Sequence, residues 1–348
     1  MDIQFKPVWF DSLGAKSSCV LVKTPDISVL IDPGIAAMQK SFPLSAVKKK
    51  MLKDKGRKEI KKAAKEADII VISHYHHDHY FPDDLSIYKN KKIFAKNPNE
   101  YINESQRKRA ERFYSKLFSR FGSVKLEEIW RVNKIKKYLN PLKELPVAVD
   151  KDFGDYNRRK KELFKKGMEW FDGMVEKWKK LPWIPEMKLK EVEIIYPEGK
   201  EFGFGKTVLR FTSPLFHGIE FSKLGWIFAT VIEYQGKKLI HSSDMNGPVI
   251  EDYAEWIIKE NPDILILDGP MTYMFGYLLT RINLKRTIEN VIKILKNTET
   301  ELIIYDHHLP REARFREHTQ EVWEVARKLN KKIITAAEFL GKTPKVLV

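Results

Sequence analysis

Four of the chain's nine histidines fall within positions 74–79, and this cluster constrains the chain more than any other stretch. Residues 71–80 read Val-Ile-Ser-His-Tyr-His-His-Asp-His-Tyr. Imidazole and carboxylate groups are ligands that zinc, manganese and iron accept. The apolar run at 69–73 predicts a buried strand, so His74 and His76 leave its end on one face and can share one ion. Asp78 and His79 follow closely and can reach a second ion.

Histidine-rich tracts also occur as solvated loops that bind metals loosely. Such loops do not follow an apolar run, and they do not carry an aspartate at a fixed offset among the histidines. Both features are present here, because the run at 69–73 leads directly into the cluster and Asp78 lies within it. We therefore favour a built metal site at a strand end.

The run from His74 to His79, His-Tyr-His-His-Asp-His, resembles the H-x-H-x-D-H signature of the metallo-β-lactamase superfamily. The resemblance implies an α/β (α+β) fold, a four-layer αββα sandwich with the metals at one edge between two sheets. It also implies that His77 is the one residue of the cluster that binds no metal. Further ligands should then follow at later strand ends.

Three later strand ends carry suitable residues. His217 follows a strand predicted at 208–211, and Asp244 follows the second strand of a hairpin. The pair His307 and His308 follows a strand predicted at 302–305. Taken alone, His217 would more often be a packed or surface histidine, and Asp244 can instead cap the helix predicted at 249–259. Their order along the chain favours the metal role.

The resemblance implies a complete set of ligands for two ions. Metal 1 is bound by His74, His76 and His217, metal 2 is bound by Asp78, His79 and His307, and Asp244 bridges both. His307 is chosen over His308 because an arginine follows the ligand by four positions in tRNase Z-like enzymes, and Arg311 stands in that place. The reverse assignment is an alternative. His308 is then a candidate proton donor to the leaving group.

Asp32 ends a strand predicted at 29–31 and begins the sequence Asp-Pro-Gly. Most aspartates in this setting only stabilise the turn. The resemblance gives Asp32 a second role, in which it fixes the orientation of a metal-binding residue.

Four residues are candidates for the substrate pocket. The apolar, aromatic loop at 271–279 supplies Tyr273 and Tyr277, and loops at strand ends often carry function. Packing of this loop against an insertion at 97–190, described below, explains these tyrosines equally well. Arg311 can hold part of the substrate. Tyr80 begins the sequence Tyr-Phe-Pro, where lactamase-like enzymes have small or glycine-containing sequence, so Tyr80 is expected to narrow the entrance to the metal site. A helix is predicted to follow at 81–88.

Composition changes between about residues 97 and 190. Residues 101–190 hold 24 Lys and Arg against 13 Asp and Glu, so they carry +11 of the formal charge of +16. Apolar residues at spacings of three and four over 107–121 and 158–180 predict two amphipathic helices. We interpret 97–190 as a basic, mostly helical insertion into a core formed by 1–96 and 191–348.

The insertion has three interpretations. Its interleaved basic and aromatic residues can track phosphates and stack on bases, which would make RNA or DNA a partner. The aromatics can instead form the insertion's own core beneath solvated lysines, and we favour this interpretation. A lid over the metal site is the third. The charge excess also fits the lysine-rich surface of a thermophile's protein.

The rest of the composition is that of an ordinary globular protein. A chain of 348 residues with 43% hydrophobic residues can bury a large core, and no apolar run approaches the roughly 20 residues of a membrane-spanning helix. The N-terminus has no signal-peptide pattern, and the single cysteine, Cys19, fits a reducing compartment. We predict a cytoplasmic protein, and the oligomeric state stays open.

The predicted function is that of a metal-dependent hydrolase. Two divalent ions, zinc with manganese or iron as alternatives, would hold a bridging hydroxide that attacks an ester, lactone, thioester or phosphodiester. One alternative is a phosphodiesterase or nuclease that binds RNA or DNA through the insertion. Another is a non-catalytic nucleic-acid-binding module with a structural metal site. The pattern as a whole most resembles an archaeal branch of the superfamily.

Overall fold

The computed structural model describes residues 3–132 and 136–348, and within them two seven-stranded β-sheets pack face to face. The first sheet is built almost entirely from the N-terminal part of the chain, in the order β1-β2-β3-β4-β5-β7-β6. Its strands are β1 (Gln4–Phe10), β2 (Ser18–Lys23), β3 (Ser28–Ile31), β4 (Ile69–Ile72), β5 (Lys91–Ala95), β6 (Met187–Lys188) and β7 (Val192–Ile195). Strands β3, β4, β5 and β7 run parallel to one another.

The second sheet contains seven of the later strands described here, in the order β16-β15-β14-β13-β12-β9-β8. Strands β13 to β16 are parallel, and the others pair as antiparallel hairpins. Its first strands are β8 (Glu201–Phe204), β9 (Thr207–Phe211), β12 (Thr230–Tyr234) and β13 (Lys237–His241). The rest are β14 (Ile264–Asp268), β15 (Leu302–Asp306) and β16 (Lys332–Ile334), and β10 (Leu215–Phe216) and β11 (Trp226–Ile227) form a separate short ribbon.

Helices cover the outer faces of both sheets. They are α1 (Ala46–Glu66), α2 (Glu104–Gly122), α3 (Leu126–Ile129), α4 (Pro146–Asp150), α5 (Asn157–Lys180), α6 (Glu251–Glu260), α7 (Arg281–Asn297), α8 (Phe315–His318), α9 (Gln320–Lys328) and α10 (Ala336–Phe339). Ser45, Asn103 and Thr280 cap α1, α2 and α7, each accepting a backbone N–H of the first turn. Within the described ranges, no helix is long and apolar enough to cross a membrane.

Two apolar layers hold the sandwich together. Val29 and Ile31 of β3 point between the sheets and belong to one cluster with Leu209 and Phe211 of β9 and Ile266 of β14. The neighbouring residues on the same strands point outward and pack under the helices, as the two-residue period of a strand requires. The predicted four-layer αββα architecture is therefore confirmed.

One predicted helix is wrong. Residues 81–88 form a loop that ends in a single 3₁₀ turn, Leu85–Tyr88. The Asp84 carboxylate accepts the backbone N–H of Ser86 and caps this turn, and the Tyr88 hydroxyl binds the backbone of Phe81 at the start of the loop. These local bonds satisfy the backbone without a longer helix. The Lys and Ala spacing from Gly56 to Ala67 also predicts a helix, and the observed α1 begins ten residues earlier, at Ala46, because Ser45 provides the cap.

The 97–190 segment contributes α2 to α5, and residues 133–135 within it lie outside the described part of the chain. Its aromatics do not form only a core of their own. The Trp170 ring stacks on Trp226 of the short ribbon with centroids 5.3 Å apart, and the Trp178 indole packs at 5.4 Å against the same ring. These contacts fasten α5 to the sandwich. The division into insertion and core stays a prediction.

Candidate metal centre

The predicted metal-binding residues leave the carboxyl ends of strands that meet at one edge of the two sheets. His74 to His79 follow β4 in the first sheet, as Asp32 follows the adjacent parallel strand β3. From the second sheet, Asp244 follows β13 and His307 follows β15. His217 follows the short strand β10. The structure thus brings residues as far apart in sequence as Asp32 and His307, 275 positions, to one place.

Asp244 lies at the centre of this group, and its two carboxylate oxygens face different histidines. Oδ2 lies 3.0 Å from Nε2 of His217 and 3.4 Å from Nε2 of His74. Oδ1 lies 3.2 Å from Nε2 of His79 and 3.3 Å from Nε2 of His307. The His76 ring packs at 4.6 Å from His74. One carboxylate therefore separates two sets of donor atoms.

These donor atoms fit divalent metal ions. Four buried imidazole nitrogens have no hydrogen-bond partner among the described residues, namely Nε2 of His74, His79, His217 and His307. Two donors bound tetrahedrally to one zinc ion, each about 2.0–2.1 Å from it, are about 3.3 Å apart, which matches the distances around Asp244. Two sets are close enough to share an ion: His74, His76, His217 and Asp244, and separately Asp78, His79 and His307. The cluster is therefore compatible with divalent metal binding.

The other imidazole nitrogens are held by the protein. Nδ1 of His79 lies 2.8 Å from Oδ2 of Asp32, and Nδ1 of His307 lies 3.1 Å from Oδ1 of Asp11. Each Nδ1–H is donated to its carboxylate, so Nε2 is the nitrogen that faces the centre and binds a metal once its proton is lost. Asp32 also accepts the backbone N–H and the hydroxyl of Ser73, at 2.8 and 2.7 Å. Asp32 thus contacts His79 and the residue before His74, and its role in orienting a metal-binding residue stays a prediction.

Asp11 was missed in the sequence. It follows β1 and accepts the backbone N–H of Ser17 at 2.8 Å, the Nδ1–H of His307 and the Nε–H of Arg311. Its signal was a lone aspartate at the end of an apolar strand, and nothing in the local sequence connects it to His307, which lies 296 positions away.

Burial and charge shift the pKa values of the cluster. Burial and the charge of His79 lower the pKa of His74 to about 4. Burial alone would lower the pKa of His79, but the negative charges of Asp244 and Asp32 outweigh burial and raise the pKa of His79 to about 10. Burial alone would raise the pKa of Asp244, but the positive charges of His79 and His307 hold this pKa well below its ordinary range. The buried carboxylates of Asp32 and Asp244 are stabilised by nearby positive charge, which divalent cations can supply.

Two cationic side chains stand beside Asp78. Arg311 is buried, with its Nη1 donating to the Tyr273 hydroxyl at 3.1 Å and its Nη2 3.6 Å from Oδ2 of Asp78. Lys16 is half-buried, and burial together with Arg311 lowers its pKa while Asp78 and Asp11 oppose the shift. Lys16 was not anticipated from the sequence. Arg311 was predicted to hold part of the substrate, but its guanidinium mostly binds groups of the protein itself, Asp11 and Tyr273.

His308 lies beside the same centre. Its Nδ1 is 2.8 Å from Oδ1 of Asp268, at the end of β14, and its ring is 4.5 Å from that of His307. Together with Asp244 and His307 it forms a third group of atoms close enough to share an ion. Asp268 thus fixes which side of the imidazole faces the centre.

Gly34 allows the histidine loop to lie close to the first sheet. A Cβ at this position would collide with the backbone nitrogens of His79 and Tyr80. The Asp-Pro-Gly turn therefore does more than reverse the chain, since its glycine lets the loop approach Asp32.

Helix α2 holds the loop from the other side. The Gln106 side chain accepts the N–H of Tyr75 at 3.2 Å and donates to the carbonyl of Leu224 at 2.7 Å. Arg109 Nε donates to the carbonyl of Tyr75. Helix α2 thus binds both backbone polar groups of Tyr75, the residue between His74 and His76. Through Leu224 it also contacts the loop after His217.

The predicted pocket residues are placed differently. Tyr80 is only 1% exposed and packs edge-on against Tyr75 and Phe113, so the prediction that it narrows the entrance is wrong. It is apolar packing between the loop and α2 that buries the ring. Tyr277 is 79% exposed on its loop and is not enclosed, whereas Tyr273 touches Arg311. His77 is exposed and lies outside the candidate metal-binding groups of the described residues.

Comparison with known proteins agrees with this geometry. A model of the Metallo-beta-lactamase superfamily matches residues 14–81, which include the histidine cluster. The UPF0282 protein of Methanocaldococcus jannaschii is 31% identical over 349 residues, which are 97% of this chain and 91% of that protein. The chain belongs to the UPF0282 family. It is an archaeal-branch member of the metallo-β-lactamase superfamily.

Another UPF0282 protein, from Methanopyrus kandleri, is 30% identical over 98% of this chain and 95% of its own length. Among solved structures, the metallo hydrolase Igni18 of Ignicoccus hospitalis is 13% identical, with a TM-score of 0.44 over 96% of this chain and 95% of that one. The short form of human tRNase Z is 12% identical, with a TM-score of 0.40 over 88% and 92%. The UPF0282 chain has the metallo-β-lactamase fold.

Proposed function

We propose that this protein is a metal-dependent hydrolase with two divalent ions. The observation that carries the proposal is the placement of Asp244, whose two oxygens face separate pairs of buried, unpartnered imidazole nitrogens within the described chain. His74, His76 and His217 would hold one ion, Asp78, His79 and His307 the other, and Asp244 both. Zinc suits this nitrogen-rich set best, with manganese and iron as alternatives.

When bound, two such ions lower the pKa of a shared water so that hydroxide is available near neutral pH. The protein contributes orientation and proton handling. Asp32 and Asp11 fix the tautomers of His79 and His307, and His308 can pass a proton from Nε2 to a leaving group. Burial and the charge of Arg311 hold the pKa of His308 well below its ordinary value, and its Nδ1 lies 2.8 Å from Oδ1 of Asp268, so Nε2 must take up a proton before it can pass one on.

The test combines metal analysis with hydrolysis of two chromogenic substrates, 4-nitrophenyl acetate and bis(4-nitrophenyl) phosphate. Asp244→Ala and His76→Ala should each abolish stoichiometric binding of at least one ion and lower kcat/KM at least about a hundredfold. Asp54→Ala, on the exposed face of α1, is the matched control. Full metal content in both site variants would contradict the proposal, as would wild-type protein that binds two ions and hydrolyses neither substrate class.

A nuclease or phosphodiesterase remains the second candidate, because residues 101–190 carry a net charge of +11 from 24 basic and 13 acidic residues. It requires RNA or DNA binding whose affinity falls steeply with salt. No binding at low salt would remove this candidate. Hydrolysis of any ester or phosphodiester would remove the further alternative of a non-catalytic module with structural metals.

A further inference from the structure

A cleft of about 490 Å³ opens beside the candidate metal centre. Its walls come from the first turns of α2, from the middle of α5 and from the loop that follows His217, and the His76 side chain lies in its lining. His76 is also the histidine of the first metal-binding set that solvent reaches. A molecule in this cleft would therefore lie directly against the candidate metal centre.

The charges along the cleft are not balanced. Lys177 is paired with Glu104 across the opening. Arg109 and Lys223 also line the cleft, and neither forms an ion pair in the described part of the chain. Arg109 donates its Nε–H to the Tyr75 carbonyl, and no acceptor among the described residues binds its terminal N–H groups, which are therefore available to a ligand. Two cations that form no ion pair within the described residues create a positive potential in this concave site, and that potential favours an anionic ligand.

The cleft also has apolar lining residues. Met174 is buried, Trp170 is half-buried and Leu224 is 40% exposed, and all three contribute to the lining. Trp170 is held rigid by its stacking on Trp226. A rigid aromatic face beside fixed cations suits a ligand with an apolar part joined to an anionic group.

We propose that this cleft binds a small organic anion, with its carboxylate or phosphoryl group near Arg109 and Lys223 and its apolar part against Trp170 and Leu224. The proposal rests on the hydrolase function above for its significance, since it names the class of substrate that the enzyme takes. The volume lies within the roughly 300–1,000 Å³ of small-molecule sites. The 97–190 segment then recognises substrate rather than merely covering the core.

Equilibrium binding tests the proposal without relying on turnover. Phenylphosphonate and benzoate are titrated calorimetrically into the full-length protein, with methylphosphonate and benzyl alcohol as probes that lack the apolar or the anionic part. The protein is used both zinc-loaded and after prolonged chelation, which separates anion binding by the cleft from binding by the ions. Phenylphosphonate should bind more tightly than either truncated probe in both states, and its preference over benzoate identifies the anionic group.

Three variants locate the binding. Arg109→Gln should weaken phenylphosphonate roughly tenfold or more, because hydrogen bonds to a charged group are lost. Lys223→Gln should weaken it about threefold, as expected for a more exposed charge. Lys108→Gln removes the same charge from an exposed position on α2 outside the cleft lining and should have no effect. Since Arg109 also holds the Tyr75 carbonyl, Lys223→Gln is the variant that leaves the loop untouched.

Equal binding by Lys223→Gln, Lys108→Gln and the unaltered protein would overturn the proposal, as would equal affinity for phenylphosphonate and benzyl alcohol. Tight binding of a single-stranded oligonucleotide that these small probes do not displace would also overturn it. The two proposals fail separately. Hydrolysis without cleft-dependent anion binding removes only this inference, whereas anion binding without metal-dependent hydrolysis removes only the catalytic function.

Discussion

Asp11 positions two side chains at once, His307 of the second candidate metal-binding set and the neighbouring Arg311. In Asp11→Asn the new amide is neutral, so it holds both the His307 tautomer and the Arg311 guanidinium more weakly. We expect affinity for the second ion to fall about 10- to 100-fold while the first ion is retained. Competition with a chromogenic chelator, followed by elemental analysis, measures both affinities.

The matched control is Asp54→Asn, an equal change on the exposed face of α1. It should leave both ions bound with unaltered affinity. The expectation for Asp11 would be wrong if its asparagine variant bound two ions as tightly as the control does, because the carboxylate would then have no part in holding the imidazole.

At this scale the sequence predicts residues whose partners are near in the chain. His74 and His76 could be identified because they follow directly on a predicted strand and lie two positions apart. Asp11 could not, because His307 and Arg311 lie roughly 300 positions away and no periodicity links them to it. Lys16 could not either, because no local pattern connects it to Asp78. The burial of Tyr80 could not be predicted either, because the sequence does not show that Tyr75 and Phe113 pack against its ring.

At the scale of elements, α2 acts as a brace between the two loops that carry the histidines. Gln106 is fully buried, and its removal in Gln106→Ala leaves the N–H of Tyr75 and the carbonyl of Leu224 without their partner. We expect a loss of about 1–3 kcal/mol in the free energy of unfolding, together with weaker metal binding. Urea unfolding of the zinc-loaded and chelated protein measures both effects.

Gln320 offers a matched control for this change, because it lies exposed on α9 and binds only Glu324 within its own helix. Gln320→Ala should alter stability by less than about 0.5 kcal/mol. If Gln106→Ala were equally mild, α2 would be a cover rather than a brace.

A second prediction concerns the contact of α6 with the second sheet. Glu260 accepts both Nη groups of Arg210, at 2.8 and 2.7 Å, and the ammonium of Lys238 at 2.9 Å. The Arg210 bonds, with those of Lys238, outweigh burial and lower the pKa of Glu260 from 4.5 to about 2. A carboxyl whose pKa is lower in the folded protein stabilises it above the unfolded pKa, and this contribution disappears as pH falls through the folded value.

Glu260→Gln should therefore destabilise the protein at neutral pH, by about 1 kcal/mol since solvent screens a partly exposed pair. The difference from the unaltered protein should shrink as pH falls from about 4.5 towards 2. Urea unfolding at a series of pH values checks this. A difference that stayed constant or grew in acid would show that the carboxylate charge is not what matters.

Elements were predicted well where their apolar period was long enough to identify. The helices expected at 107–121 and 158–180 lie within α2 and α5. The helix expected at 81–88 rested on a short acidic start after Pro82, and side-chain bonds from Asp84 and Tyr88 decided the local structure instead. The place of α2 against Tyr75 could not be predicted, because periodicity gives a helix its apolar face but not its partner.

At the scale of the whole molecule, the candidate metal centre joins the two sheets. His74 and His79 come from the first sheet, and Asp244 and His307 come from the second. Ions bound between them bind the folded state alone, so zinc should stabilise the protein by about 2.7 kcal/mol at a hundredfold excess over its Kd. Thermal unfolding with increasing free zinc measures this, and Asp244→Ala should abolish the dependence. A melting temperature independent of zinc in the unaltered protein would contradict it.

Burial of the centre also has a consequence for exchange rates. Asp244 and the histidines at 74, 79, 217 and 307 are each at most 2% exposed, while Asp78 and His76 are the ligand candidates that solvent touches. A bound ion can then leave only when the loop opens locally. The half-life of the holo form should be set by that opening, so raising the concentration of chelator should, beyond a threshold, no longer speed up the loss of metal.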